Sequence, residues 1–114
     1  MTLPRRIPKP AKRASRWRSQ AHCNFVRSHE CSVLLCNGRP IEVAHVRSGS
    51  GAGMGQKPDD WRTVSLCADH HKHQHTIGEQ RFWQGFDIEA LIAEFAAKSP
   101  KAAEIRAIQR ERVL

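Results

Sequence analysis

Apolar positions fall into short groups set apart by polar, glycine or proline residues, and the spacing inside each group predicts its element. Trp17, Ala21, Phe25 and Val26 recur at helical intervals, so a helix is predicted around residues 16–30. Cys31 to Cys36, with Asn37-Gly38 after it, reads as a tight turn between short strands. Pro40 to Val46 alternates weakly and predicts a strand carrying His45, and Thr63 to Leu66 predicts a second. Between them, Lys57-Pro58-Asp59-Asp60 reads as a turn followed by a helix start, with Pro58 fixing φ and either aspartate able to cap. A helix is predicted from Ala68 or Asp69 toward His75, broken by Thr76-Ile77-Gly78, with Glu79 to Trp83 helical or a tight turn. Asp87 is the expected N-cap of a helix from Ile88 to Lys98, with Ile88, Leu91, Ile92 and Phe95 on one face. Ser99-Pro100 then opens a last amphipathic helix with Ile105, Ile108 and Val113 apolar.

Short strands mixed with helices predict a small α+β fold. At 114 residues the chain holds one small domain whose core is thin enough for a structural metal to matter. No apolar run approaches the roughly 18 residues of a membrane span. The basic N-terminus lacks the apolar stretch of a secretory signal. A cytoplasmic location is therefore expected, where cysteines bind metal more often than they pair as disulfides.

Charge divides the chain. Residues 1–20 hold Arg5, Arg6, Lys9, Lys12, Arg13, Arg16 and Arg18 and no acid, which is seven of the eight net positive charges. Pro4, Pro8 and Pro10 interrupt this stretch, so a disordered basic arm is expected over 1–20, a folded domain over 21–86 and amphipathic helices over 87–114. Such an arm suits the phosphate backbone of nucleic acid, which it would grip without reading sequence. The alternative is a solvated tail that only aids solubility.

Candidate chemistry concentrates between Cys31 and His75. Cys31-x4-Cys36 and Cys67-x2-His70 together supply three thiolates and an imidazole, a donor set for one tetrahedral Zn²⁺. The competing reading makes these cysteines small buried hydrophobes, with Cys23 an ordinary spare thiol. His71 and His75 are four apart, so on a helix they project from one face and can clamp one divalent cation. Against that stands a surface histidine run with incidental metal affinity. His45 lies between the two ligand groups, where a neutral imidazole can take a proton from water. Arg47 is placed to hold a phosphate. Gly49, Gly51, Gly53 and Gly55 make the following loop pliant, and Lys57 beyond it is a candidate phosphate contact; the loop equally reads as a plain connection.

At these residues the sequence resembles the HNH (ββα-metal) nucleases. His45 in Val43-Ala44-His45-Val46-Arg47 matches that family's general-base position, and His71 and His75 match its helical metal ligands. Cys31, Cys36, Cys67 and His70 match the cysteine pairs that hold a structural zinc in many members. The Gly-Met-Gly-Gln loop and the histidine cluster look like phage and prophage members, including RecA-dependent recombination-enhancement nucleases, over about residues 30–86. The resemblance implies a treble-clef-like ββα-metal domain with structural zinc. It implies metal-dependent hydrolysis of single- or double-stranded DNA with Mg²⁺, Mn²⁺ or Zn²⁺. A RecA filament becomes an expected partner and a bacterial cytoplasm the expected setting. One departure points elsewhere. Many members carry Asp or His before the base, where this chain has Ala44, which cannot ligate; Asp69 and His73 are the candidate substitutes. A catalytically degenerate, zinc-stabilised DNA-binding module is the alternative, and a zinc-dependent protein-interaction domain is the third reading.

Overall fold

The computed structural model describes residues 16–52 and 56–113. Its elements run α1 (Gln20–Arg27), β1 (Ile41–His45), β2 (Thr63–Cys67), α2 (Ala68–Ile77), α3 (Glu79–Phe82), α4 (Ile88–Lys98) and α5 (Ala102–Val113). The strands pair antiparallel from Ile41 opposite Cys67 to His45 opposite Thr63. The fold is thus a small mixed α/β arrangement: one two-stranded sheet with helices packed on it.

β2 is buried along its whole length. Val64 and Leu66, with Ala44 and Val46, meet Val26 of α1, Trp83 after α3, and Ile92 and Phe95 of α4 in the main apolar cluster. A second cluster joins Trp17, Trp61, Ala96 and Ile105. The two C-terminal helices are therefore packed on the rest of the fold. Arg112 donates to Asp59 Oδ2 at 2.6 Å and lies over the Trp61 ring, and Trp17 Nε1 donates to Glu104 at 3.0 Å. No helix among the described residues is long and apolar enough to cross a membrane.

Four expectations change. The first helix begins at Gln20, because Ser19 is its cap and accepts from His22 N–H at 3.1 Å. Residues 16–19 are instead extended and stapled to a turn, with Trp17 N–H on Asp59 Oδ1 at 2.7 Å and Ser19 N–H on Asp60 Oδ2 at 2.8 Å. The expected disordered arm over 1–20 therefore does not extend through residues 16–20. For the same reason Asp59 and Asp60 start no helix: their carboxylates are occupied by a segment over 40 residues earlier, and the chain runs on into β2. The Cys31–Cys36 segment is a knuckle without strands, its Leu35 at φ 64°.

Elsewhere local signals place the elements as expected. Asp87 accepts from Ala90 N–H at 3.0 Å and opens α4 at Ile88. Gly78, at φ 89°, ends α2 where a side chain would be strained. Ser99 Oγ accepts from Lys101 N–H at 3.1 Å ahead of α5.

Candidate functional site

Two groups of chemistry-bearing side chains lie on either side of the start of α2. The first is the set Cys31, Cys36, Cys67 and His70, whose ligand atoms all lie within 4.8 Å of one another. The knuckle after α1 brings two of them, and the junction of β2 with α2 brings the other two. His70 Nδ1 stands 3.4 Å from Cys31 Sγ, 3.4 Å from Cys36 Sγ and 3.3 Å from Cys67 Sγ, and the sulfurs of Cys36 and Cys67 are 3.9 Å apart. Three sulfurs and an imidazole nitrogen gathered this closely can hold a metal ion. The backbone favours it: Gly38 N–H donates to Cys36 Sγ at 3.3 Å and draws that thiol down toward thiolate, while burial pushes Cys31 up. Gly38 is itself required by the cluster, since a Cβ there would stand 2.8 Å from Cys67 Sγ and 3.2 Å from Cys36 Sγ. Cys23 is buried outside the cluster, and burial and the Asp60 carboxylate push its thiol up.

The second group lines an open cleft of about 1210 Å³ between β1, the Asp60 turn and the later half of α2. Val43 and His45 reach it from β1, and Arg47 and Ser48 from the chain beyond. Ala44, between them, is wholly enclosed in the main core, as strand alternation requires. His71 and His75 face it from α2, with their Nε2 atoms 3.2 Å apart. His71 Nδ1 meets Glu42 Oε1 at 2.8 Å, which turns its Nε2 toward His75. Asp69 and His73, the candidate substitutes for the ligand missing at Ala44, do not line the cleft, and His73 stands edge-on to Phe82.

His45 Nε2 lies 2.9 Å from Asp60 Oδ1. Burial, opposed by that hydrogen bond, leaves the His45 pKa below its ordinary value. Burial resists ionisation of Asp60, but the His45 and Ser19 hydrogen bonds and the nearby Arg18 overcome it and bring its pKa down. At neutral pH the pair is therefore an imidazole donating to a carboxylate. Behind it, His22 is fully buried, within 2.7 Å of Ser99 Oγ through Nδ1 and 3.5 Å of Thr63 Oγ1 through Nε2.

The cations are distributed unequally. Arg27, Arg47, Lys57 and Arg81 line the cleft. Arg47 Nη1 donates to Gln56 O at 3.1 Å, and its N–H and that of Ser48 donate to Glu79 at 2.7 and 2.9 Å. Arg16 and Arg18, expected in the arm, are tied down. Arg16 donates to Gly51 O at 2.7 Å and pairs with Asp59 at 3.4 Å; Arg18 donates to Lys57 O and Pro58 O and pairs with Asp60 at 3.4 Å. Arg5, Arg6, Lys9, Lys12 and Arg13 lie outside the described residues, as do Gly53 and Gly55 of the glycine loop.

The structure thus brings together the three cysteines and the histidine of the candidate metal cluster, and separately His45, Arg47, Lys57, His71 and His75. Sequence reasoning misses Glu42 and Asp60. Glu42 sits 29 residues before its histidine partner, and Asp60 is 15 after His45, so neither pair leaves a local motif.

A family model described as "Protein of unknown function (DUF968)" matches residues 5–89. No curated protein and no solved structure matches the chain.

Proposed function

For this chain, which belongs to the DUF968 family of proteins of unknown function, we propose the activity of a small metal-dependent DNA endonuclease of the HNH (ββα-metal) type. The observation that carries this reading is the convergence in one cleft of His45 on its buried carboxylate, the His71–His75 pair backed by Glu42, and four cationic side chains.

Each part has a chemical task. Neutral His45 takes the proton of the water whose oxygen attacks phosphorus while the bond to the leaving oxygen breaks. Arg47 and Lys57 hold the phosphate ester against the cleft wall. His71 and His75 are the ligands for a divalent cation, Mg²⁺, Mn²⁺ or Zn²⁺. Two nitrogens about 2.0–2.1 Å from one ion lie about 3.0–3.4 Å apart, against 3.2 Å between these. Glu42 fixes the ring of His71 from behind. A cation bound there supplies Lewis acidity for the phosphoryl and leaving oxygens.

The Cys31, Cys36, Cys67 and His70 cluster fits a structural Zn²⁺. With Zn–S about 2.3 Å and Zn–N about 2.0–2.1 Å, a tetrahedron has S···S edges near 3.8 Å and S···N edges near 3.6 Å. The 3.9 Å between Cys36 and Cys67 and the 3.3–3.4 Å to His70 lie within a few tenths of these. Its role is to pin the knuckle to α2 and so fix the register from which His71 and His75 project. A link to phage DNA recombination, with a RecA filament as partner, rests on the resemblance of the loop and histidine cluster alone.

One observation favours a second reading. Ala44 is enclosed in the core and offers the cleft no ligand, which fits a zinc-stabilised DNA-binding module that has lost catalysis. The two are separated by gel shift and cleavage of single-stranded and duplex DNA with wild type and His45→Ala. The nuclease reading expects binding by both and cleavage by wild type only. Binding without cleavage under any of the three cations selects the degenerate module, and cleavage unchanged in His45→Ala rejects His45 as the base.

A further inference from the structure

We infer that Asp60 is the positioning residue for His45: its carboxylate holds the imidazole with Nε2 protonated and so presents Nδ1 as the atom that accepts a proton. This deepens the nuclease reading and rests on it for the use made of His45, but not for the pairing itself.

The Asp60 carboxylate is held in place by partners of its own. The Asp60 side chain is 8% exposed, and its two oxygens have separate partners. Oδ2 accepts from the Ser19 backbone N–H at 2.8 Å, which fixes the plane of the group, and Oδ1 is then left 2.9 Å from His45 Nε2. The turn is held as firmly. Asp60 N–H donates to Trp17 O at 2.9 Å, Thr63 Oγ1 donates to Asp60 O at 2.7 Å, and Arg62 N–H donates to Asp59 O at 3.0 Å. An ionised carboxylate only accepts hydrogen bonds, so the proton between the two groups must sit on Nε2. In a neutral imidazole the lone pair is then on Nδ1.

The groups around the pair act in both directions. Arg18 Nη1 lies 3.4 Å from the same Oδ1, so one oxygen is shared between the histidine and a cation. Arg18 and Lys57 disfavour a charged His45, and Asp60 favours it. His22 and Cys23 are the other titratable neighbours of the carboxylate; both are buried, and burial favours the neutral form of each. Removing Asp60 and removing Arg18 must therefore move His45 in opposite directions. A purely structural role for the turn predicts no such pair of effects.

The test is ¹⁵N NMR of the imidazoles of the full, zinc-loaded chain, with His45 assigned by its loss in His45→Ala. Wild type is expected to show the Nε2–H tautomer of His45 near neutral pH. In Asp60→Asn the His45 titration should move down by about one unit, the scale of a lost neighbouring charge, and in Arg18→Gln it should move up. With DNA as substrate, Asp60→Asn should lower kcat by about 10²-fold, within the range of general-base catalysis, and leave KM nearly unchanged. An Nδ1–H tautomer in wild type overturns the proposal, as does an unmoved His45 titration in folded Asp60→Asn. Should Asp60→Asn not fold, the wild-type tautomer and the Arg18→Gln shift decide it. A protein that shows the tautomer and both shifts but cleaves no DNA retains the pairing and loses the nuclease reading.

Discussion

Replacing Gly38 by alanine isolates what the Cys/His cluster demands of the backbone. Gly38 is not among the glycines at positive φ, so the substitution is opposed by space rather than by conformation. The new methyl would stand 2.8 Å from Cys67 Sγ, 2.9 Å from Cys67 Cβ and 3.2 Å from Cys36 Sγ. Ordinary contacts begin near 3.5 Å, so both sulfurs must retreat by a few tenths of an ångström or more. A metal site accepts ligand displacements of only about 0.2 Å. Overpacking of this kind costs about 1–3 kcal/mol. If it falls on the metal-bound state, affinity drops by about 5- to 150-fold at 1.4 kcal/mol per decade. Competition with a chromophoric chelator for Zn²⁺ reads that change, and thermal unfolding should fall by several degrees with it. Gly78→Ala is the control: no atom lies within 4 Å of its Cβ, but its φ of 89° strains any side chain. It should lower the melting temperature and leave Zn²⁺ affinity alone. Wild-type affinity in Gly38→Ala, or an equal loss in Gly78→Ala, would show that crowding at Gly38 does not limit metal binding.

Glu42→Gln should weaken Mn²⁺ binding about 10- to 100-fold, the usual scale for an outer carboxylate behind a ligating histidine, whereas His71→Ala should abolish it; a calorimetric titration in which Glu42→Gln binds like wild type removes Glu42 from the site. His22 is fully enclosed, and burial lowers its pKa from the ordinary 6.5. Its contribution to stability is thus complete above that value and lost as pH falls through it toward the lowered folded value, because the unfolded chain takes up a proton the native one refuses. Melting temperature should therefore drop between about pH 7.5 and pH 5.5, and drop less in His22→Gln; equal drops in both contradict the assignment. Deleting residues 1–14 removes Arg5, Arg6, Lys9, Lys12 and Arg13 while sparing the stapled Arg16 and Arg18. The log–log salt dependence of DNA binding should flatten by about 0.9 for each phosphate the arm no longer neutralises, and an unchanged slope excludes the arm from binding.

What can be read from the sequence is what local spacing encodes. Asp87 capping Ile88–Lys98 and Gly78 ending α2 are signals within a turn of their effect, and Cys67-x2-His70 places two ligands on one strand-to-helix junction. The Cys31–Cys36 pair is legible as candidate ligands on a turn, but the strand expected ahead of that turn is replaced by α1 and bends, and Leu34 and Leu35 within the turn are 87% and 93% exposed. The Asp59-Asp60 turn misleads for a different reason. A capping carboxylate and one that takes N–H groups from a distant extended segment look alike in sequence, and only the packing of Trp17 on Trp61 brings that segment within reach. The same packing converts Arg16 and Arg18 from free arm residues into partners of buried acids. Glu42 and Asp60 reach their histidines only through strand pairing and tertiary contact, so no window along the chain contains the site.

The proposed arrangement is a tightly bound metal beside a separate cleft in which an exchangeable cation and His45 cut DNA. Nicking of supercoiled plasmid decides it, with the full chain, zinc retained at the Cys/His cluster but weakly bound cations removed by brief EDTA treatment, then titrated with Mg²⁺, Mn²⁺ or Zn²⁺. No nicking is expected before the addition and saturable nicking after it in wild type. None is expected at any concentration in His45→Ala or His75→Ala, although both keep their zinc. Nicking without added cation, nicking that persists in His75→Ala, or a folded, zinc-loaded wild type that nicks under none of the three cations would contradict it.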